Sequence, residues 1–187
     1  MAMSERGQRP DPPGVSASDE IAAMIRVDQA GEYGAVRIYE GQLAVLGKST
    51  SKAAEAIRHM AEQEQEHLKR FDDLIAERGV KPTVLEPFWH LAGYALGAAT
   101  ALAGEKTAMA CTEAVEAVID RHYAGQVERL GERDPELRDT IARFRADEIA
   151  HKNAALAHGA EEAPGHGLLT AVIKLGCRVA IALSTRI

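Results

Sequence analysis

Aromatic side chains make up only 4% of the 187 residues, too few for the β-branched and aromatic strands of a sandwich or barrel. Cysteine is almost missing. Cys111 and Cys177 have no CxxC spacing and no companions at zinc-finger distances, and two are too few for a disulfide scaffold. Both read as buried small hydrophobes. Basic residues are in deficit, 22 against 28 acidic, and the net charge of -6 excludes nucleic acid as the main partner, because phosphate binding needs a basic surface. The first residues lack the apolar stretch of a secretory signal and carry acidic side chains that a transit peptide avoids. Residues 1–17, with Pro10, Pro12 and Pro13, read as a disordered arm of a cytosol-facing protein, and 18–187 as one domain of ordinary size.

What is present is an excess of Ala, Leu, Glu, Gln and Arg, which predicts an all-α fold. Ser16 to Asp19 has capping-box spacing, and Ile21, Ile25, Glu32, Ala35, Tyr39, Leu43 and Leu46 recur at helical intervals up to Gly47. A second helix carries Ile57, Ala61, Glu64, Leu68, Phe71 and Ile75 on one stripe and stops at Gly79 and Pro82. From Pro87 to Gly104 no residue is formally charged, a run of 18 at the lower limit for a membrane span, with Gly and Ala content that argues against spanning. A fourth helix covers about Lys106 to Leu130, and a fifth, from Pro135, aligns Leu137, Ile141, Phe144, Glu148, His151 and Ala155. Past a loop over Ala160 to Gly167, the segment Leu168 to Ile187 contains no acidic residue. It places Lys174 and Arg178 one turn apart, opposite Leu169, Val172, Ile173, Val179 and Leu183, and reads as a basic amphipathic helix.

The apolar stripes are interrupted in a pattern. Glu64 and His67 share a face in the second helix, and Glu148 and His151 repeat the ExxH spacing in the fifth. Glu32 and Glu116 sit among small residues in the first and fourth. The differences 116 - 32, 148 - 64 and 151 - 67 all equal 84, so a Glu…ExxH array occurs twice at one offset and the chain reads as two copies of a helical hairpin. Folding the first hairpin about residues 49 to 50 brings Glu32 level with residues 66 to 68, and the second behaves alike about residues 132 to 133. Six donors therefore meet at one depth. Glu113 is a rival one turn from Glu116, but its counterpart is Gln29. Glu62 and Glu66 lie off the His67 stripe and read as solvent-facing. Asp28, one turn before Glu32, is either an acceptor that orients a ligand histidine or an ordinary surface residue.

Two glutamates from two helices with ExxH from the other two resembles the di-iron or di-manganese site of ferritin-like four-helix bundles, here with two additional apolar or amphipathic helices. Four carboxylates and two divalent ions cancel in charge, whereas the bare cluster would suffer desolvation and like-charge repulsion. Carboxylate and imidazole without thiolate suit iron or manganese, and six donors leave coordination positions open.

With those residues in hand, the chain resembles the demethoxyubiquinone hydroxylases of ubiquinone biosynthesis from about Ile21 to Ile187. The matching stretches are MIRVDQAGEYGA (Met24 to Ala35), LAVLG (Leu43 to Gly47), EQEH (Glu64 to His67), KPTVLEPFW (Lys81 to Trp89), ALGAATAL (Ala95 to Leu102), AMACTEAVE (Ala108 to Glu116), His122 with Tyr123, and GCRVAIALS (Gly176 to Ser184). The resemblance implies a non-haem di-iron monooxygenase that inserts one atom of dioxygen into the ring of a polyprenylated quinol. It implies the iron ligands Glu32, Glu64, His67, Glu116, Glu148 and His151, and a role for His122 and Tyr123 in substrate contact or electron transfer, their other reading being a core His and Tyr.

A substrate with an isoprenoid tail lives in a bilayer, so the helices over Pro87 to Gly104 and Leu168 to Ile187 are expected to lie in the interface on the cytoplasmic side of the cell (inner) membrane. Trp89 and Tyr94 would then sit at headgroup depth, with Lys174, Arg178 and Arg186 toward anionic lipid. A buried core helix or a protein-protein surface is the competing reading for each, and other ubiquinone-biosynthesis proteins are candidate partners. NADH is the electron source the resemblance suggests, although no GxGxxG fingerprint occurs. An iron-storage or peroxide-detoxifying ferritin-like protein and a partner-binding bundle are the rival functions.

Overall fold

A computed structural model describes residues 16–187, so the expected arm lies outside the described residues except for Ser16 and Ala17. Six helices follow in order: α1 (Ala17–Leu46), α2 (Lys52–Arg78), α3 (Glu86–Leu102), α4 (Glu105–Leu130), α5 (Pro135–Ala157) and α6 (His166–Ser184), with a single 3-10 turn at Ala160–Glu162. The ends follow local chemistry. The Ser16, Ser51 and Asp134 side chains accept from the backbone N–H groups of Asp19, Ala54 and Leu137, and Gly79 closes α2 at φ 62, where a β-carbon would be strained.

The long helices α1, α2, α4 and α5 make an antiparallel bundle in which α1 packs on α2 and α4 on α5. The buried stripe of α2 runs Ile57, Met60, Glu64, His67, Phe71 and Leu74. It therefore departs from the expected stripe at three positions: Ala61, Leu68 and Ile75 are only half-buried, and Met60 and Leu74 replace two of them. Alternating steps of three and four residues form a coiled-coil-like seam, and that seam, rather than a uniform i,i+4 row, faces the partner helices.

The two apolar helices cover the bundle unequally. α3 lies flush along α1, because at Gly41 and Gly97 a β-carbon would run into the backbone carbonyls of Tyr94 and Ile38. The Gly and Ala content of α3 thus serves close packing. α6 rests on α4, where Lys174 Nζ donates to Glu113 Oε1 at 2.8 Å and Ile173 is buried. The two helices are tied at one end by Trp89 Nε1 donating to Ser184 Oγ (3.0 Å) and Thr83 Oγ1 donating to the Ile187 carbonyl (2.6 Å). Their outer faces expose Phe88, Leu91 and Leu102 on α3 and Leu168, Val172 and Leu175 on α6. Among the described residues α6 is long and apolar enough to cross a membrane by length and composition. The Lys174 contact corrects its expected lipid-facing orientation: the ammonium turns inward to a buried carboxylate, while Arg178 stays exposed.

Candidate metal centre

Each bundle helix delivers its carboxylate or ExxH pair to the same level. Glu32, Glu64, Glu116 and Glu148 are fully buried, and His67 and His151 nearly so. One set of donor atoms comes from Glu32, Glu64, His67 and Glu148, a second from Glu64, Glu116, Glu148 and His151, and within each set all lie within 4.8 Å of one another. His67 Nδ1 is 3.2 Å from Glu148 and 3.7 Å from Glu32, and His151 Nδ1 is 3.0 Å from Glu64 and 3.6 Å from Glu148. Glu64 and Glu148 belong to both sets.

The hydrogen bonds sort the carboxylates by role. Tyr123 Oη donates to Glu32 Oε1, and Tyr39 Oη donates to Glu116 Oε1 at 2.7 Å, so each of these carboxylates keeps one free oxygen, Oε2. Glu64 and Glu148 have both oxygens free. One free oxygen suits a ligand to a single ion, and two suit a bridge between ions. Behind the histidines, His67 Nε2 donates to Asp147 Oδ2 and His151 Nε2 donates to Gln63 Oε1, both at 3.2 Å, which leaves each Nδ1 facing the cluster. Eight buried polar atoms of the six side chains lack a protein partner and converge on one space. Such orphans are rare because each costs desolvation, and two divalent cations would satisfy them together.

Titration tells the same story. Burial, reinforced by Glu148, pushes the Glu64 and Glu116 carboxyls well above their usual range. Burial opposes protonation of His67, yet the neighbouring carboxylates of Glu148 and Glu32, 3.2 and 3.7 Å from Nδ1, override it and raise that imidazole to about 10.

The family model described as Ubiquinone biosynthesis protein COQ7 matches residues 19–184. The chain belongs to the COQ7 family. It is 52% identical over 167 residues to a 3-demethoxyubiquinol 3-hydroxylase of Rhodospirillum rubrum, covering 89% of this chain and 78% of that one. It is 50% identical over 171 residues to the NADPH-dependent 3-demethoxyubiquinone 3-hydroxylase, mitochondrial, of Homo sapiens, covering 89% and 78%. A 5-demethoxyubiquinone hydroxylase, mitochondrial, of Saccharomyces cerevisiae is 41% identical over 179 residues, covering 88% and 77%. The human relative's name carries NADPH, where the resemblance suggested NADH.

In this COQ7 chain the other candidates fall outside the cluster. Glu113 is held by His166 and Lys174, and Glu62 and Glu66 are exposed. Asp28 is neither a surface residue nor a partner of the ligand histidines: buried, it accepts from His122 Nε2 (3.0 Å) and Gln126 Nε2 (2.8 Å). Tyr123 touches Glu32, while His122 stays with Asp28. Cys111 is buried as expected, and Cys177 is half-buried. Sequence reasoning missed Tyr39, Gln63 and Asp147 as supports. The signal was available, since 123 - 39 and 147 - 63 are also 84.

An apolar cavity of about 340 Å³ lies between α1, α3, α4 and α6. Gly31 and Ala35 flank Glu32 along its wall, and Val115 and Ile119 flank Glu116. At Gly31, Gly34 and Gly176 an added β-carbon would meet nothing within 4 Å, so missing side chains create the space.

Proposed function

We propose that the chain hydroxylates the ring of a polyprenylated demethoxyubiquinol in ubiquinone biosynthesis, taking the oxygen from dioxygen, with two iron ions held by Glu32, Glu64, His67, Glu116, Glu148 and His151. The observation that carries this reading is the juxtaposition of orphaned carboxylate and imidazole donors with an apolar cavity under an exposed apolar face. When bound, the irons would supply activation of dioxygen, with electrons from a reduced nicotinamide nucleotide.

The protein's own part is positioning and exclusion. Tyr123 and Tyr39 hold Glu32 and Glu116 by one oxygen each and keep a proton at that oxygen in a dry site. The aliphatic cavity accepts a flat ring and excludes water. Tyr123 and His122, ring centroids 5.9 Å apart, lead from Glu32 to the half-buried His122 and its buried partner Asp28, a route for protons or electrons. The exposed faces of α3 and α6 rest on the bilayer surface at the cytoplasmic side, a monotopic attachment that lets a membrane-borne tail stay in lipid while the ring enters. Other ubiquinone-biosynthesis proteins would meet the chain on this surface or beside it.

The test is incubation of the iron-loaded protein in liposomes with a short-chain demethoxyubiquinol, a reduced nicotinamide nucleotide and isotopically heavy dioxygen, read by mass spectrometry. One heavy oxygen in the ring is expected. Product without the label, or iron-loaded protein that turns over no quinol, rejects the reading. Liposome co-sedimentation with oligomer size separates it from a soluble iron-storage shell.

A further inference from the structure

The halves of the cluster match donor for donor, and the supporting tyrosines match as well. The histidines are equally buried, with side-chain exposures of 3% and 2%. What differs is the group behind each ring at the same 3.2 Å: an aspartate behind His67 and a neutral carboxamide behind His151. Asp147 and Gln63 occupy equivalent places in the two repeats, since 147 - 63 equals 84, so the group facing each Nε2 differs by one charge; the surroundings differ as well, with Phe144 stacked on the His67 ring at 4.0 Å where the other repeat has Met60, and buried Asp28 where it has Thr112.

We propose that the two metal subsites are inequivalent, and that Asp147 makes the Glu32–His67 half the tighter and first to fill. The inference rests on the reading that the cluster holds two divalent ions. A cation at Nδ1 draws electrons from the imidazole and makes its Nε2 proton more acidic. A carboxylate facing that proton forms a charge-assisted hydrogen bond about twice as strong as one to a neutral amide. It makes the ring a better electron donor to the metal, whereas Gln63 gives His151 orientation without charge. Second-sphere partners of this kind alter metal affinity by about ten- to a hundredfold. Asp147 is 36% exposed, so water screens part of its charge and the expected effect is at the tenfold end. A cleft between α2 and α5 reaches the outer, Nε2 side of His67, where Asp147, Gln63 and Phe144 line it together with Arg70 and Arg143.

Metal-free protein is titrated with cobalt(II) without oxygen, followed by calorimetry and ligand-field absorption, and crystals holding one equivalent are examined by anomalous scattering at the cobalt edge. Two binding steps about tenfold apart are expected, with the first ion among Glu32, Glu64, His67 and Glu148. Asp147→Asn, which keeps the shape of the side chain, should bring the steps together, and combining it with Gln63→Asp should reverse the order of filling. Equal occupancy at one equivalent, or a first ion beside His151, overturns the inference, and the wild-type crystals decide this even if a variant fails to fold. A protein that takes up fewer than two cobalt ions per chain overturns the two-metal reading itself.

Discussion

The segment α1–α2–α3 and the segment α4–α5–α6 follow one plan but finish it differently. Each contributes a glutamate, an ExxH pair and a tyrosine whose hydroxyl secures the other segment's glutamate. The apolar helices diverge. α3 has Gly93 and Gly97 where α6, at the offset 177 - 93 and 181 - 97, both 84, has Cys177 and Ile181. Glycine lets α3 settle backbone to backbone on α1, whereas the larger residues of α6 line the cavity. The donors are alike in both halves, and the packing of the outer helices is where the halves differ.

The most severe way to break the symmetry is to remove a shared carboxylate. Glu148→Ala and Glu64→Ala are each expected to lose both ions and all hydroxylation, measured by metal analysis and turnover; two ions retained in either variant would show that the two donor sets do not depend on their shared carboxylates. Next, Gly97→Leu drives a side chain into the Ile38 carbonyl and should destabilise the fold by about 3 kcal/mol in chemical denaturation. A smaller loss would mean that α3 is as loosely seated as α6.

The pH dependence follows from the raised carboxyls. A carboxyl whose folded pKa lies above its ordinary 4.5 stabilises the fold fully below that value, and the stabilisation is lost as pH rises through the folded pKa. Metal-stripped protein should therefore melt about 5 °C lower at pH 8 than at pH 5, and metal-loaded protein should not. A flat profile for the stripped form would show the carboxyls to be satisfied without cations. Gly176→Leu fills the cavity from α6, and should raise KM about tenfold while both metals stay bound. The smallest effect belongs to Arg178→Gln, which should weaken binding to anionic vesicles about fivefold, near 1 kcal/mol. Arg178 suits this better than Lys174, whose charge is committed to Glu113.

The convergence of the six side chains was legible because residue type, helical spacing and a fixed offset of 84 recur together in a duplicated chain. Helix ends were legible from Ser16, Ser51, Gly79 and Pro135, where capping is local. The same offset held Tyr39 with Tyr123 and Gln63 with Asp147, but a tyrosine on an apolar stripe reads as core until its hydroxyl is seen to meet a carboxylate. Lys174 misled because its partner Glu113 is 61 residues away and an amphipathic pattern does not say which of two polar faces turns inward. Asp28 failed for the same reason, its partners lying in α4. The cavity depends on how far α6 stands from its neighbours, a property of tertiary packing that no periodicity encodes.

The Gly97–Ile38 seam fixes α3, one wall of the cavity, by backbone contact and leaves α6 as the leaf held by side chains. Backbone against backbone has no rotamers to rearrange, so a bulky guest gains no room from α3. Extra width must come from α6, whose hold on its neighbours includes the Lys174–Glu113 ion pair and the Trp89–Ser184 hydrogen bond, contacts that can be broken and remade one at a time. Loosening that leaf by substitution would broaden the range of ring substituents admitted, while the floor of the pocket, built on the other helices, keeps its shape.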